Sequence, residues 1–174
     1  MILASILDGG SPRSSEVTTV RNAVEAVQED PSLFDELFAE IFNDDHRIAR
    51  RAAKAVEKLT RKNSEPLQPW KRVLLEQVVY TENKHVRWQT ALMFGRLKLE
   101  PDERDFVLDL LFNWLDGDGS VIRTCSLQGL ADLAMQDAQL LPDVLPLLED
   151  AVVSGTPAMR ARSRALLKKL ARHR

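Results

Sequence analysis

Apolar residues return along this chain at intervals of three and four positions and nowhere alternate with polar ones over a strand's length, so the pattern predicts amphipathic helices throughout. The clearest stripe is Ile48, Ala52, Val56 and Leu59, with Arg47, Arg50, Arg51, Lys54, Lys58 and Arg61 on the positions between. That segment is repeated. A long or β-branched apolar residue, small residues four and five positions on, and Leu-like residues at eight and eleven recur in 48–59, 86–97, 122–133 and 159–170, with starts 38, 36 and 37 residues apart. A period of this size marks stacked helical hairpins, because one hairpin alone cannot bury its apolar stripe.

The other helix of each pair is expected at Leu33–Phe42, Trp70–Tyr80, Phe106–Leu115 and Leu140–Val153. Each opens near a proline (Pro31; Pro66 or Pro69; Pro101; Pro142), where a missing N–H costs nothing. Turns are expected at Asn43-Asp44-Asp45, Glu82-Asn83, Asp116-Gly117-Asp118-Gly119 and Ser154-Gly155. Four hairpins follow, over 31–62, 66–98, 101–136 and 137–174, in one repeat domain over 1–174. Residues 1–30 form a degenerate N-terminal repeat or cap: Val17, Val20, Val24 and Val27 mark a second helix over 14–29, and residues 1–8 supply a truncated first one. Pro146 should bend the last first-helix. The fold class is all-α, an α-α superhelix, with Ile48, Ala52, Val56, Leu59, Val86, Phe94, Leu97, Ile122, Leu130, Leu133, Leu166 and Leu170 in the core and Trp114 beside them.

Composition narrows the setting. With 174 residues, 7 Gly, 8 Pro and a single Cys, the chain is neither collagen-like nor disulfide-stapled, and a lone thiol suits the cytoplasm. No apolar window approaches a membrane span, and Met1-Ile-Leu-Ala-Ser-Ile-Leu has no basic residue ahead of its short apolar run, so neither a membrane anchor nor a signal peptide is expected.

The repeated segment resembles the second helix of a HEAT repeat, which typically reads Val-Arg-x-x-Ala-Ala-x-Ala-Leu-x-x-Leu after an acidic turn; residues 48–59 follow it with Ala49 in the arginine slot. Leu140-Leu-Pro-Asp-Val-Leu-Pro-Leu-Leu resembles the family's first helix, and the likeness covers residues 31–174 with a weaker extension to 14. It implies a right-handed solenoid whose second helices line the concave surface and whose first helices line the convex one. Arg87, Arg123 and Arg160 stand at the family's ladder position, where an arginine pairs with acidic residues of the neighbouring turn. The likeness implies no single function, since such solenoids serve as scaffolds, transport adaptors, lyase subunits and a group of DNA glycosylases.

Charge is segregated in the same register. The second-helix segments 46–62, 83–98, 119–136 and 156–174 hold 19 basic and 2 acidic residues, a net of +17, which leaves −19 for the rest of a chain whose total is −2. With the resemblance, this implies a basic groove backed by an acidic wall, a field that draws an anionic partner inward. The groove positions are Arg47, Arg50, Lys54 and Lys58, then His85, Trp88, Gln89, Leu92 and Arg96, then Thr124, Gln128 and Asp132, then Arg162, Lys169 and Arg172. Trp88, two positions after Val86, is the candidate aromatic anchor. A solvated basic face without a ligand accounts for the same stripe.

Catalytic motifs are not apparent. His46 and His173 are followed by Arg and His85 by Val, so no His-Glu metal pair exists. Asp116-Gly-Asp-Gly-Ser opens like a calcium loop, but Val121 and Leu127 occupy the positions that need Gly and Glu. Cys125 has no adjacent base, and no glycine-rich phosphate loop occurs. The reading is a non-catalytic scaffold, without metal or cofactor, that binds an acidic protein partner. The alternative is a nucleic-acid-binding solenoid resembling the HEAT-like alkylpurine DNA glycosylases, with Asp132 and Trp88 in the carboxylate and aromatic parts.

Overall fold

The computed structural model describes residues 2–10, 15–117 and 119–172. Among them there is no strand, and the chain falls into two compact units, Met1–Thr90 and Ala91–Arg174, with the division inside one helix.

The first unit holds α1 (Ile2–Asp8), α2 (Glu16–Glu29), α3 (Phe34–Ala39), α4 (His46–Thr60), α5 (Lys71–Glu76) and the start of α6 (Lys84–Phe94). α1 is too short to stand alone. Leu3 and Leu7 are fully buried, the Leu3 N–H donates to Glu36 Oε1 at 2.7 Å, and Arg51 Nη1 donates to the carbonyls of Leu7 and Asp8 at 2.6 and 3.1 Å. Side chains of α3 and α4 thus serve both ends of the helix, where main-chain groups lack helical partners. In α2 the buried set is Thr19, Val20, Ala23 and Val27, while Val17 is 66% exposed and Val24 half-buried. The valine stripe misplaces the face because Thr19 turns its hydroxyl back to the carbonyls of Ser15 and Glu16, which lets it occupy a core position.

The first helices of this unit are shorter than their apolar spacing suggests. Residues 33–42 and 70–80 are α-helical only over α3 and α5, and the flanking Pro31–Leu33, Glu40–Phe42, Glu65–Trp70 and Val78–Tyr80 are tighter 3-10 turns. Pro66 and Pro69 remove donors from Glu65–Trp70, and the β-branched pair Val78-Val79 follows a break at Gln77 (φ −130, ψ −55). Trp70 ties the start of α5 to α3: its ring stacks on Phe38 at 4.2 Å between centroids, and its Nε1 donates to Asp35 Oδ1 at 2.9 Å. Ile48, Ala52, Val56 and Val86 are buried as expected, but Leu59 stays partly exposed in the last turn of α4, where Thr60 takes the buried position and returns its hydroxyl to the Val56 carbonyl.

The second unit holds the end of α6, then α7 (Pro101–Leu115), α8 (Ser120–Gln136), α9 (Leu141–Ser154) and α10 (Pro157–Ala171). α7 starts in a capping box of Glu100 and Glu103 around Pro101, and α10 starts on Thr156, whose hydroxyl accepts from Met159 N. Phe94, Leu97, Ile122, Leu130, Leu133, Leu166 and Leu170 are buried, and Trp114, part-exposed, stacks on Phe94 with centroids 6.0 Å apart. α9 continues unbroken through Pro146. A Cβ added at Gly129 would lie 2.6 Å from the carbonyl oxygen of Ala91, so α8 and the end of α6 pack at a distance only glycine allows.

Candidate interaction surface

In the first unit the basic positions of α4 fall on one face but differ in what they meet. The turn before α4 fixes its start: Asp45 Oδ1 accepts from the main chain of Arg47 at 2.8 Å, and the Arg47 guanidinium returns to the Asp45 carboxylate at 2.7 Å and approaches Asp8 at 3.6 Å. These bonds hold the Asp45 carboxyl below its ordinary pKa. One turn on, Arg50 Nη2 lies 2.6 Å from Glu16 Oε2, and Lys54 Nζ lies 2.8 Å from Glu16 Oε1. Burial pushes the Glu16 pKa up, but the hydrogen bond from Lys54 and the charges of Lys54, Arg50 and Arg51 outweigh it and hold the carboxyl below its usual value. Arg51, expected on this stripe, is instead 5% exposed and spends its guanidinium on α1. Lys58 is half-buried, and Arg61, exposed beyond it, chelates the buried Glu57 at 2.6 Å.

α6 contributes His85, Trp88 and Gln89 to this unit, all part-exposed. Its start is tied to that of α4 by the buried Asn83, whose amide donates to the His46 carbonyl at 3.3 Å while its oxygen accepts from the main chain of His85 at 3.1 Å. Beside this bridge is a cleft of about 360 Å³ lined by His46, Arg47, Arg50, Glu82, Asn83, Lys84 and His85. The His85 and Trp88 rings meet edge to face at 4.4 Å. Burial lowers the His85 pKa, Arg50, Lys84 and Lys54 lower it further, and Glu16 opposes them.

In the second unit, Arg96, Gln128 and Asp132 are part-exposed, and Arg162 and Lys169 are exposed. Four of these five form one line: Arg162 Nη1 donates to Gln128 Oε1 at 2.7 Å, Gln128 Nε2 donates to both Asp132 oxygens at 2.9 Å, and Lys169 Nζ lies 3.5 Å from Asp132 Oδ1. Two of the three ladder arginines brace main chain: Arg87 donates to the Thr81 carbonyl at 2.8 Å and Arg123 to the Gly117 carbonyl at 3.1 Å, each six residues back in its own turn, whereas the Arg160 side chain makes no such bond among the described residues. Among the described residues no three His, Cys, Asp or Glu side chains gather as metal ligands do, and no helix is long and apolar enough to cross a membrane.

A family model described as a HEAT repeat domain matches residues 12–170. The chain belongs to the HEAT-repeat family. No curated protein sequence matches this HEAT-repeat chain significantly. Among solved structures it is similar to a chain in the complex of CpcE and CpcF of phycocyanin lyase from Nostoc sp. PCC7120, with a TM-score of 0.66 and 20% identity over 95% of this chain and 96% of that one. At that identity the likeness shows a shared all-α repeat fold.

Glu16 is the residue that counting charge by segment overlooks. It belongs to α2, outside the four basic segments, yet it neutralises the middle of the α4 stripe. The signal was Glu16 itself, an acid opening a second helix whose counterparts are basic.

Proposed function

We propose that this HEAT-repeat chain is a non-catalytic interaction scaffold that holds an acidic segment of a partner protein on the basic face of its second helices. The family supports a protein-binding role, as does a structural neighbour drawn from a complex of two different proteins. The observation that carries the sign of the partner's charge is α10: among the described residues Arg160, Arg164, Lys168 and Arg172 pair with no acid, Arg162 is held by the neutral Gln128, and Lys169 reaches only Asp132, at 3.5 Å. Exposed cations left without counter-ions draw anionic surfaces at long range and lose that pull with salt. The single thiol, Cys125, suits a reducing cytoplasm.

The test is fluorescence anisotropy with a glutamate-rich peptide, duplex DNA and single-stranded DNA at several salt concentrations. The scaffold reading expects the peptide to bind and both nucleic acids to bind weakly at about 150 mM salt. Submicromolar DNA binding at that salt would overturn it in favour of a nucleic-acid binder, most clearly if log affinity falls against log salt with a slope of roughly −0.7 to −0.9 per phosphate contacted.

A further inference from the structure

Register shows what each flank of α10 would meet. Counting from Ile122 in α8 and Met159 in α10, Arg123 matches Arg160, Leu127 matches Arg164 and Ala131 matches Lys168. In α8 the flank bearing Leu127 and Ala131 is covered: the two are 2% and 0% exposed, α9 and α10 pack against the helix, and Leu127 lines a cleft with Leu147 and Met159. The other flank of α8 faces back toward α6, as the contact of Gly129 with Ala91 shows. α10 keeps this order, since Arg162 and Lys169 reach back to Gln128 and Asp132 of α8. Its opposite flank therefore corresponds to the covered one of α8, and there Arg164 and Lys168 are exposed and Arg160 part-exposed.

Spaced at i, i+4 and i+8, the three cations make one stripe along the helix. None pairs with an acid among the described residues, and the small, exposed Ala161 and Ala171 beside them leave room for a second backbone. An apolar peptide would meet only two alanine methyls and the part-exposed Leu167 on this flank. A helix with carboxylates at the matching interval would meet three opposite charges while lying against α10 as α10 lies against α8.

We propose that the Arg160, Arg164, Lys168 flank of α10 is a docking surface for a helical segment of a partner protein carrying carboxylates at i, i+4 and i+8. The proposal rests on the acidic-partner reading and deepens it by naming the surface and the shape of the ligand. Its test uses two labelled peptides of about 20 residues, long enough to be helical, with identical composition and charge. One places glutamates at every fourth position, and the other distributes them around the helix. Both are titrated at low and at about physiological salt against the whole chain, the triple variant Arg160→Glu/Arg164→Glu/Lys168→Glu, and the control variant Arg21→Glu/Arg72→Glu, whose exposed side chains on α2 and α5 lie outside the candidate surface, with circular dichroism confirming that each variant keeps its helices. The patterned peptide is expected to bind at least about tenfold more tightly than its isomer, and to lose at least about tenfold in the triple variant but little in the control. Equal binding of the two peptides, or equal losses in the two variants, would overturn the helical docking surface while leaving an acidic partner standing. If neither peptide binds at low salt, the acidic-partner reading falls with it.

Discussion

Replacing Glu16 by Gln tests whether the first unit's basic face is neutralised from within. The carboxylate contacts Arg50 at 2.6 Å and Lys54 at 2.8 Å, and the three side chains are 26%, 31% and 36% exposed. Fully exposed ion pairs are worth about 0.2 to 1 kcal/mol each, whereas shielded hydrogen bonds to charged groups reach about 1.5 to 3. At this intermediate exposure, solvent screening keeps the two contacts together at about 1 to 2 kcal/mol, and glutamine, which can still accept one bond, should forfeit about 1. That corresponds to a fall of roughly 2 to 4 °C in melting temperature. The pH dependence is the sharper readout. Glu16 is held in the fold below its ordinary value of 4.5, so its contribution is present above that value and is lost as pH falls through the lower folded one. Calorimetry of both proteins from about pH 8 to 3 should therefore show a gap at neutral pH that narrows in acid, and also at high salt. A gap that does not change with pH, or no gap at all, would show that Glu16 does not engage the two cations in solution.

Other outcomes follow from the same contacts. Removing Glu16 also removes the charge that opposes Arg50, Lys84 and Lys54 at His85, so NMR titration of Glu16→Gln should find the His85 pKa lower still; an unchanged or higher value contradicts the cluster. Arg51→Met should cost about 2 to 3 kcal/mol by leaving the Leu7 and Asp8 carbonyls without their donor, with amide exchange accelerating first in residues 2–8. Gly129→Ala should destabilise the second unit by about 1 to 3 kcal/mol, since its Cβ would sit 2.6 Å from a main-chain oxygen, and a melting curve like the wild type's would mean that α6 and α8 pack less closely than described. Truncating Leu130 or Phe94 to Ala, both fully buried, should cost on the order of 2 to 5 kcal/mol, and near-native melting of either would place the core elsewhere.

Helical periodicity carried most of the fold, because the second helices α4, α8 and α10 are long enough for a stripe to repeat several times, and eleven of the twelve expected core residues are buried there and in and just beyond α6. The first helices of the first unit were harder to read. Their apolar residues keep a helical interval across 3-10 turns as well as α turns, so spacing alone does not separate Val78–Tyr80 from a continuing helix. In α2 the face was misplaced by weighting valines over Ala23 and over Thr19, the latter buried through a hydroxyl bond that composition does not show. The surface was legible as positions and not as partnerships. Every candidate residue from Arg47 to Lys169 is at least part-exposed, but whether a cation is free or paired depends on residues far away in sequence, as with Glu16 and Lys54, 38 positions apart.

Glycine at position 95 governs more than the spacing of two helices. A Cβ there would collide with the Cβ of Asp132. Asp132 in turn orients Gln128 and meets Lys169, and Gln128 receives Arg162, so the lateral position of three surface groups is set by the absence of one methyl at Gly95. A lineage could therefore retune the charge pattern of this surface by mutating a residue that carries no side chain of its own, and alanine scanning confined to the charged side chains would miss the position that controls it.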